Sequence, residues 1–339
     1  MQTKVLTPSA QNIALAAQLL AHDEVVGIPT ETVYGLAANA CSDTAVKKIF
    51  AAKGRPQDNP LISHIADMDM LCMVNKNIPA ACYQLAAAFW PGPLTMIMQR
   101  ADTLADSVCA GLDTAAVRMP SHAVARSIIA AAGVPLAAPS ANISGSPSPT
   151  DAATTFADMD GKVPLIIDGG SCTVGVESTV VSLAGEVPVL LRPGYITLEQ
   201  LEQALGCEVK VSPAVLHQLQ QGQKAQSPGM KYKHYAPKAE VTILQGGLKA
   251  FAAYVAAHKT EGTYCLCFDG EESALPVPCI TYGEQNSPAQ QAQQLFSALR
   301  ALDENGAKTV FARAPQQTGV AMAVYNRLLR AAAFRVVEV

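Results

Sequence analysis

The stretch EVTILQGGLKAFAAYVAAHKTEGTYCLCF, residues 240–268, decides the fold of the C-terminal third. Glu240–Leu244 reads as a strand, Leu248–His258 as a helix and Thr263–Phe268 as a second strand. The same rhythm continues outward: a helix over Pro288–Asp303, a strand over Lys308–Ala312, a helix over Val320–Ala332 and a strand over Phe334–Val339. Strands alternating with helices imply a parallel sheet, because parallel neighbours need a crossover between them. Residues 239–339 are therefore expected to form a small Rossmann-like α/β domain. Its loops lack the G-x-G-x-x-G fingerprint, so a dinucleotide is not indicated.

Upstream the character changes. Residues 207–238 hold Gln218-Leu-Gln-Gln-Gly-Gln and Ser227-Pro-Gly-Met-Lys-Tyr-Lys-His-Tyr-Ala-Pro237, which read as a long linker. Long structureless loops in compact proteins are often functional lids. Further upstream, residues 1–206 form the larger unit. Strands are expected at Glu24–Pro29, Leu61–Ile65, Leu94–Met98, Ala115–Met119, Leu136–Ala138 and Val163–Ile167. Thr179–Leu183 and Val187–Leu191 read as an antiparallel hairpin. Helices are expected at Asp43–Ala52, Ala80–Phe89, His122–Ala132 and Leu198–Ala204. The mixture points to an α/β domain with a mixed sheet.

Composition narrows the function classes. Half of the 339 residues are hydrophobic and 15% are charged, so the chain can bury large cores. No apolar run reaches the ~18–20 residues needed to span a bilayer, and the N-terminus shows no signal-peptide pattern. The nine cysteines are scattered without a C-x-x-C pair, which reads as reduced thiols in the cytoplasm and gives no zinc-ligand spacing. Residues 1–206 carry 11 Lys/Arg against 18 Asp/Glu, a net −7; residues 207–238 carry five against one, a net +4. An acidic main domain argues against a broad surface for nucleic-acid phosphates. The basic segment suits a small anion or a nucleic acid.

Five blocks gather polar residues at strand ends, where α/β sheets bind ligands. Pro29-Thr-Glu-Thr-Val-Tyr-Gly-Leu36 reads either as a ligand loop or as a capped helix start. Lys53-Gly-Arg-Pro-Gln-Asp-Asn-Pro60 suits a phosphate; the alternative is a helix C-cap with dipole-favoured cations. It lacks Walker A spacing. His64 on an apolar strand is ordinarily a satisfied core residue. Arg118, in Val117-Arg-Met-Pro120, is either a buried ion-pair member or a carboxylate fork. Ala138-Pro-Ser-Ala-Asn-Ile-Ser-Gly-Ser-Pro-Ser-Pro-Thr150 is a stiff, donor-rich loop, and Gly175-Val-Glu-Ser-Thr179 with Leu191-Arg-Pro-Gly194 repeats the design. G-x-S-x-G and H-E-x-x-H are absent. The inventory suits binding and aligning anionic substrates rather than covalent catalysis.

In order, PTETVYGL, KGRP-x-DNPL-x-x-HI, WPGPLT, VRMPSH, APSANISG-x-PSPT, GVESTVV and LRPG resemble the threonylcarbamoyl-AMP synthases of the YrdC/YwlC family. SPGMKYKHYAP and NRLLRAA resemble its longer, two-domain form. The resemblance implies a twisted mixed sheet with a large concave cavity, followed by the Rossmann-like domain. It implies a nucleotidyltransferase reaction of ATP, L-threonine and bicarbonate, with Mg²⁺ entering on ATP and no protein ligand assigned to it. The product would feed a tRNA threonylcarbamoyltransferase machinery that modifies tRNAs reading codons beginning with A. Carried over, Thr32, His64, Arg118, Ala138 and Ser178 would hold threonine. Lys53, Arg55, Asn59, Thr114, Ser140, Asn142, Ser148 and Arg192 would line the nucleotide, and Tyr235 would reach over it from the linker. The departures are Ser146 and Lys233, where the family often has a stronger cation, and Ser63 before His64. An RNA-binding module of the same fold, or a weak tRNA contact, is the competing reading, against which the acidic balance weighs.

Overall fold

The structure is a computed structural model that describes residues 2–218 and 235–339. Lys231, Lys233 and the rest of the linker block before Tyr235 lie outside the described residues. Two sheets organise the chain. The first has eleven strands in the order Lys4–Leu6, Leu165–Ile167, Val26–Ile28, Gly35–Asn39, Leu136–Ala137, Ile62–His64, Thr114–Arg118, Leu94–Gln99, Thr179–Ser182, Val189–Arg192 and Lys210–Val211. Its pairings are both parallel and antiparallel, as expected of a mixed sheet. The second sheet has five strands, all parallel, in the order Cys279–Thr281, Thr263–Cys267, Thr309–Arg313, Glu240–Gln245 and Val336–Glu338.

The C-terminal reading holds with ends shifted by a residue or two; the edge strand Cys279–Thr281 is additional. In the first unit the expected strands and helices are present, and the hairpin forms with an irregular register between Leu190 and Arg192. Elements not expected are the edge strand Lys4–Leu6, the helices Ala10–Ala21 and Ala152–Met159, the short helices Leu71–Val74 and Asp106–Cys109, and the strand Gly35–Asn39. Residues 30–34 turn into that strand, so the capped-helix reading of Pro29–Leu36 is overturned. Part of the stretch read as linker is also structured: Lys210–Val211 pairs in parallel with Val189–Leu190, and Pro213–Val215 forms a single 3-10 turn.

Local chemistry sets the element ends that matter. The helix Asp43–Lys53 starts at Ser42, whose side chain accepts from the Ala45 amide, and ends at Gly54 in the left-handed region at φ 60°. Lys53 is thereby delivered at a helix C-terminus. Strand register does the rest. His64 is the Cα partner of Arg118, Arg118 of Thr95, Thr95 of Val180 and Val180 of Arg192. One row across five strands thus carries a His, two Arg and a Thr. At ~4.8 Å per strand that row spans roughly 19 Å. Val180 of the row packs with its neighbours Ile62, Ala116, Ile97 and Leu191 into one apolar cluster, with Ala214.

Candidate active site

A cavity lies over this row, with about 720 Å³ of empty space counting the open solvent at its mouth. Thr32, Lys53, Arg55, His64, Arg118, Ala138, Ser140, Asn142, Ser178, Arg192 and Tyr235 all line it. Three expected residues do not. Asn59 is fully buried, and its carbonyl accepts from Arg55 Nη2 at 3.2 Å. Ser148 is fully buried behind Glu177. Thr114 begins the strand that ends in Arg118; it lies beyond the cavity wall, though strand alternation places it on the same face as Ala116 and Arg118.

Arg118 forms the buried ion pair that one of its two readings expects. Its Nη2 pairs with Glu31 Oε1 at 2.7 Å, with both side chains almost wholly buried. Nη1 donates to Thr32 Oγ1 at 2.8 Å and Nε to the Gly92 carbonyl at 3.3 Å. Burial alone would raise the Glu31 carboxyl, but the charge and hydrogen bond of Arg118 hold it below its ordinary value. The hydroxyl network beside it has a fixed direction. Thr30 donates its proton to the Val33 carbonyl at 2.6 Å. In the Thr30–Thr32 contact at 2.9 Å, Thr32 is then the donor. With Arg118 also donating to it, Thr32 offers the cavity an acceptor.

His64 sits 3.2 Å from the Ile62 carbonyl through Nδ1. A carbonyl only accepts, so Nδ1 carries the proton and Nε2 keeps its lone pair. Burial first, and the neighbouring Arg118 second, push His64 down to about 3, so the ring is neutral. Ser178 closes this half of the site: its hydroxyl contacts Thr95 Oγ1 at 2.8 Å and accepts from Arg192 Nη2 at 3.2 Å.

The other half is cationic. Lys53 Nζ donates to the carbonyls of Ser140 and Asn142, the latter at 2.7 Å, and lies 3.4 Å from Asn142 Oδ1. Ser140 Oγ donates to the same Oδ1 at 2.6 Å. Burial, reinforced by Arg55, drives Lys53 well below its ordinary value. Arg192 Nε donates to the Ser178 carbonyl at 3.0 Å, and burial brings Arg192 to about 10. Tyr235 is buried with φ 63° and stacks on Phe296 with centroids 5.2 Å apart. Its neighbour Ala236 donates its amide to the Gly145 carbonyl at 3.0 Å.

Sequence reasoning missed the partners of these groups. Glu31 and Glu177 stood in the quoted blocks without roles. Glu177 lines the cavity and accepts one hydrogen bond from Ser148 Oγ at 2.6 Å and one from Arg327 Nε at 2.9 Å. The available signal was the carboxylate itself: a charge inside an apolar, hydroxyl-rich block requires a partner. Among the described residues no group of three or more His, Cys, Asp or Glu could hold a metal ion, and no helix is long and apolar enough to cross a membrane.

Comparison with known proteins bears on the fold and the family. The family described as "Telomere recombination", covering Sua5, YciO and YrdC, matches residues 18–194. The family described as "Threonylcarbamoyl-AMP synthase, C-terminal domain" matches residues 196–333. The chain is 43% identical over 332 residues to the threonylcarbamoyl-AMP synthase of Pyrococcus abyssi, covering 96% of both chains. It is 44% identical over 341 residues to that of Bacillus subtilis, covering 99% of this chain and 97% of the relative. The crystal structure of P. abyssi Sua5 complexed with L-threonine superposes with a TM-score of 0.91 at 40% identity, with full coverage of both chains. The chain thus belongs to the threonylcarbamoyl-AMP synthase family, in its two-domain Sua5 form.

Proposed function

We propose that the chain makes L-threonylcarbamoyladenylate and pyrophosphate, with release of water, from L-threonine, bicarbonate and ATP. One observation carries the reading: a neutral acceptor cluster and a cationic cluster share one cavity, with Arg118 and Ser178 at their junction. The threonine carboxylate would lie on Arg118, whose fork matches it. Thr32, His64 Nε2 and Ser178 would face its amine and hydroxyl, and Ala138 would wall the pocket. A neutral His64 accepts a hydrogen bond without adding a charge that repels the ammonium group.

Lys53, Arg55, Ser140, Asn142 and Arg192 would receive the triphosphate, with Asn59, Ser148 and Thr114 supporting the nucleotide beyond the wall and Tyr235 covering it. Mg²⁺ enters as MgATP. The residues fit that: the two carboxylates nearest the cavity, Glu31 and Glu177, are each tied to an arginine, so the phosphates are left to carry the ion. The ion would screen charge between the anionic reactants.

The threonine amine and bicarbonate give a carbamate with loss of water. A carbamate oxygen then attacks the α-phosphorus, and pyrophosphate leaves with the electron pair of the broken P–O bond. Both partners are anions, so alignment and charge screening govern the rate. Effective molarity can supply ~7–11 kcal/mol of such a barrier. The carbamate hydrolyses easily, so a covered site protects it.

The organisation we infer is a catalytic unit over residues 1–206, a basic connecting segment over 207–238 and a C-terminal unit over 239–339. The product's consumer would be a tRNA threonylcarbamoyltransferase machinery. Nine free thiols suit a reducing cytoplasm. Incubation with MgATP and bicarbonate should release pyrophosphate only when threonine is added. Threonine-independent hydrolysis, or none, would overturn the reading.

A further inference from the structure

The cavity lining contains no residue from the C-terminal unit, residues 239–339. That unit nevertheless reaches the wall of the site, through Phe296 against Tyr235 and through the side chain of Arg327. Arg327, on the helix Gly319–Ala331, is completely buried. Its Nε donates to Glu177 Oε2 at 2.9 Å, its Nη2 to the Glu177 carbonyl at 3.0 Å and its Nη1 to the Pro193 carbonyl at 2.6 Å. Asn326 Oδ1 accepts from Nη1 at 3.1 Å, while Asn326 Nδ2 donates to the Val215 carbonyl at 2.6 Å. Arg330, one turn on, donates to the Ala214 carbonyl at 2.8 Å. The helix therefore grips the two loops that flank the hairpin strands Thr179–Ser182 and Val189–Arg192, and the turn that follows Val211.

We propose that Arg327 is a positioning residue for the nucleotide half of the site: by neutralising Glu177, it keeps that carboxylate from competing with the substrate's phosphates for Arg192. Glu177 has two carboxylate oxygens, one taken by Ser148 Oγ at 2.6 Å and the other by Arg327. The next residue, Ser178, anchors Arg192 through its carbonyl and hydroxyl. Glu177 stays ionised: burial would raise it, but Arg327 and then Arg192 outweigh burial. Remove Arg327 and a buried carboxylate remains in the cavity wall without its main counter-charge. Arg192, after Arg327 the cation that most favours the ionised Glu177, lines the same wall, and the carboxylate would draw it from the phosphates and repel them directly.

This rests on the function proposed above, and the test separates the two. Steady-state pyrophosphate release is measured for the full chain, the variants Arg327→Met and Arg327→Lys, and the double variant Arg327→Met/Glu177→Gln. Binding of a non-hydrolysable ATP analogue is measured by calorimetry on all four. Arg327→Met should raise the ATP KM at least about tenfold, as expected for an uncompensated buried charge, and leave the threonine KM within about twofold. The double variant should regain most of the ATP affinity, because the competing carboxylate is gone. Arg327→Lys, which keeps the charge without the fork, should fall between wild type and Arg327→Met and guards against a variant that does not fold. A purely structural joint predicts that both KM values move together and that the double variant is no better than the single; either result overturns the proposal. If the unaltered chain lacks threonine-dependent turnover, the proposed function fails, and the analogue's affinities still decide the role of Arg327.

Discussion

Replacing Arg118 with Ala should separate the two halves of the cavity. The guanidinium holds Glu31 at 2.7 Å, Thr32 Oγ1 at 2.8 Å and the Gly92 carbonyl at 3.3 Å, all out of water. Two costs follow. The first is to stability: Glu31 becomes a buried carboxylate without a counter-ion, worth about 3–5 kcal/mol at neutral pH. Adding Glu31→Gln should recover a large part of it, since an amide can stay buried uncharged. The second is to binding. A charge-assisted contact to the threonine carboxylate is worth about 1.5–3 kcal/mol, so its loss should raise the threonine KM roughly 10- to 150-fold. The ATP KM should move far less, because the Lys53–Ser140–Asn142 cluster does not touch Arg118. Urea unfolding measures the first cost; pyrophosphate release against threonine at saturating ATP, and then the converse, measures the second. A variant whose ATP KM rises while its threonine KM stays put would refute the division of the cavity. A variant whose stability is unchanged would refute the claim that Glu31 needs Arg118.

His64 gives a pH signature. It is held down to about 3 in the folded chain against an ordinary value near 6.5, so only the unfolded chain takes up its proton over the interval between. Stability therefore falls as pH falls, by about 2 kcal/mol between pH 7 and pH 5. Urea titrations at the two pH values should show that slope reduced by this amount in His64→Gln, and an unchanged slope would count against a neutral buried ring. Gly175 adopts φ +82°, and an added Cβ would lie 2.3 Å from Gln293 Cα and 2.5 Å from the Ala292 carbonyl oxygen. Gly175→Ala should cost about 2–4 kcal/mol from the left-handed backbone and the overpacking together. It should also raise the ATP KM, since Glu177 lies two residues on; a stable variant with native kinetics would show that the seam between the two units yields without cost.

How much of this was legible follows from how local each signal is. The parallel C-terminal sheet was readable because its strands and helices alternate with clear boundaries. Its edge strand Cys279–Thr281 was not, lying just after Pro276 and Pro278 and burying no residue fully. Gly35–Asn39 escaped because Gly-Leu-Ala-Ala-Asn has no β-branched or aromatic residue; its pairing with Val26–Ile28 and Leu136–Ala137 overrides a weak propensity. The helix Ala10–Ala21 carries apolar residues around most of its circumference, so no single stripe marks it. In the site, the lining residues were legible because motif blocks place Thr32, Lys53, Arg118 and Ser178 at strand or helix ends. Their partners were not. Glu31 meets Arg118 across 87 positions of sequence, and Glu177 meets Arg327 across 150. Such pairs are fixed by the docking of distant elements, to which periodicity is blind.

The pairs also explain how an acidic unit presents a basic cavity. Four cations line it: Lys53, Arg55, Arg118 and Arg192. Each donates to at least one backbone carbonyl: Lys53 to Ser140 and Asn142, Arg55 to Asn59, Arg118 to Gly92 and Arg192 to Ser178. A carbonyl orients a cation and offsets part of its desolvation without neutralising its charge. A carboxylate would cancel it. The two carboxylates present are arranged accordingly, with Glu31 paired to Arg118 and Glu177 turned toward Arg327. The positive potential is left on the side of Lys53 and Arg55, where we propose that the triphosphate sits, and the cations are already in position when an anion arrives. A reaction that brings two anions together gains from that order, because the reorganisation that water would otherwise perform during the reaction has been completed in folding.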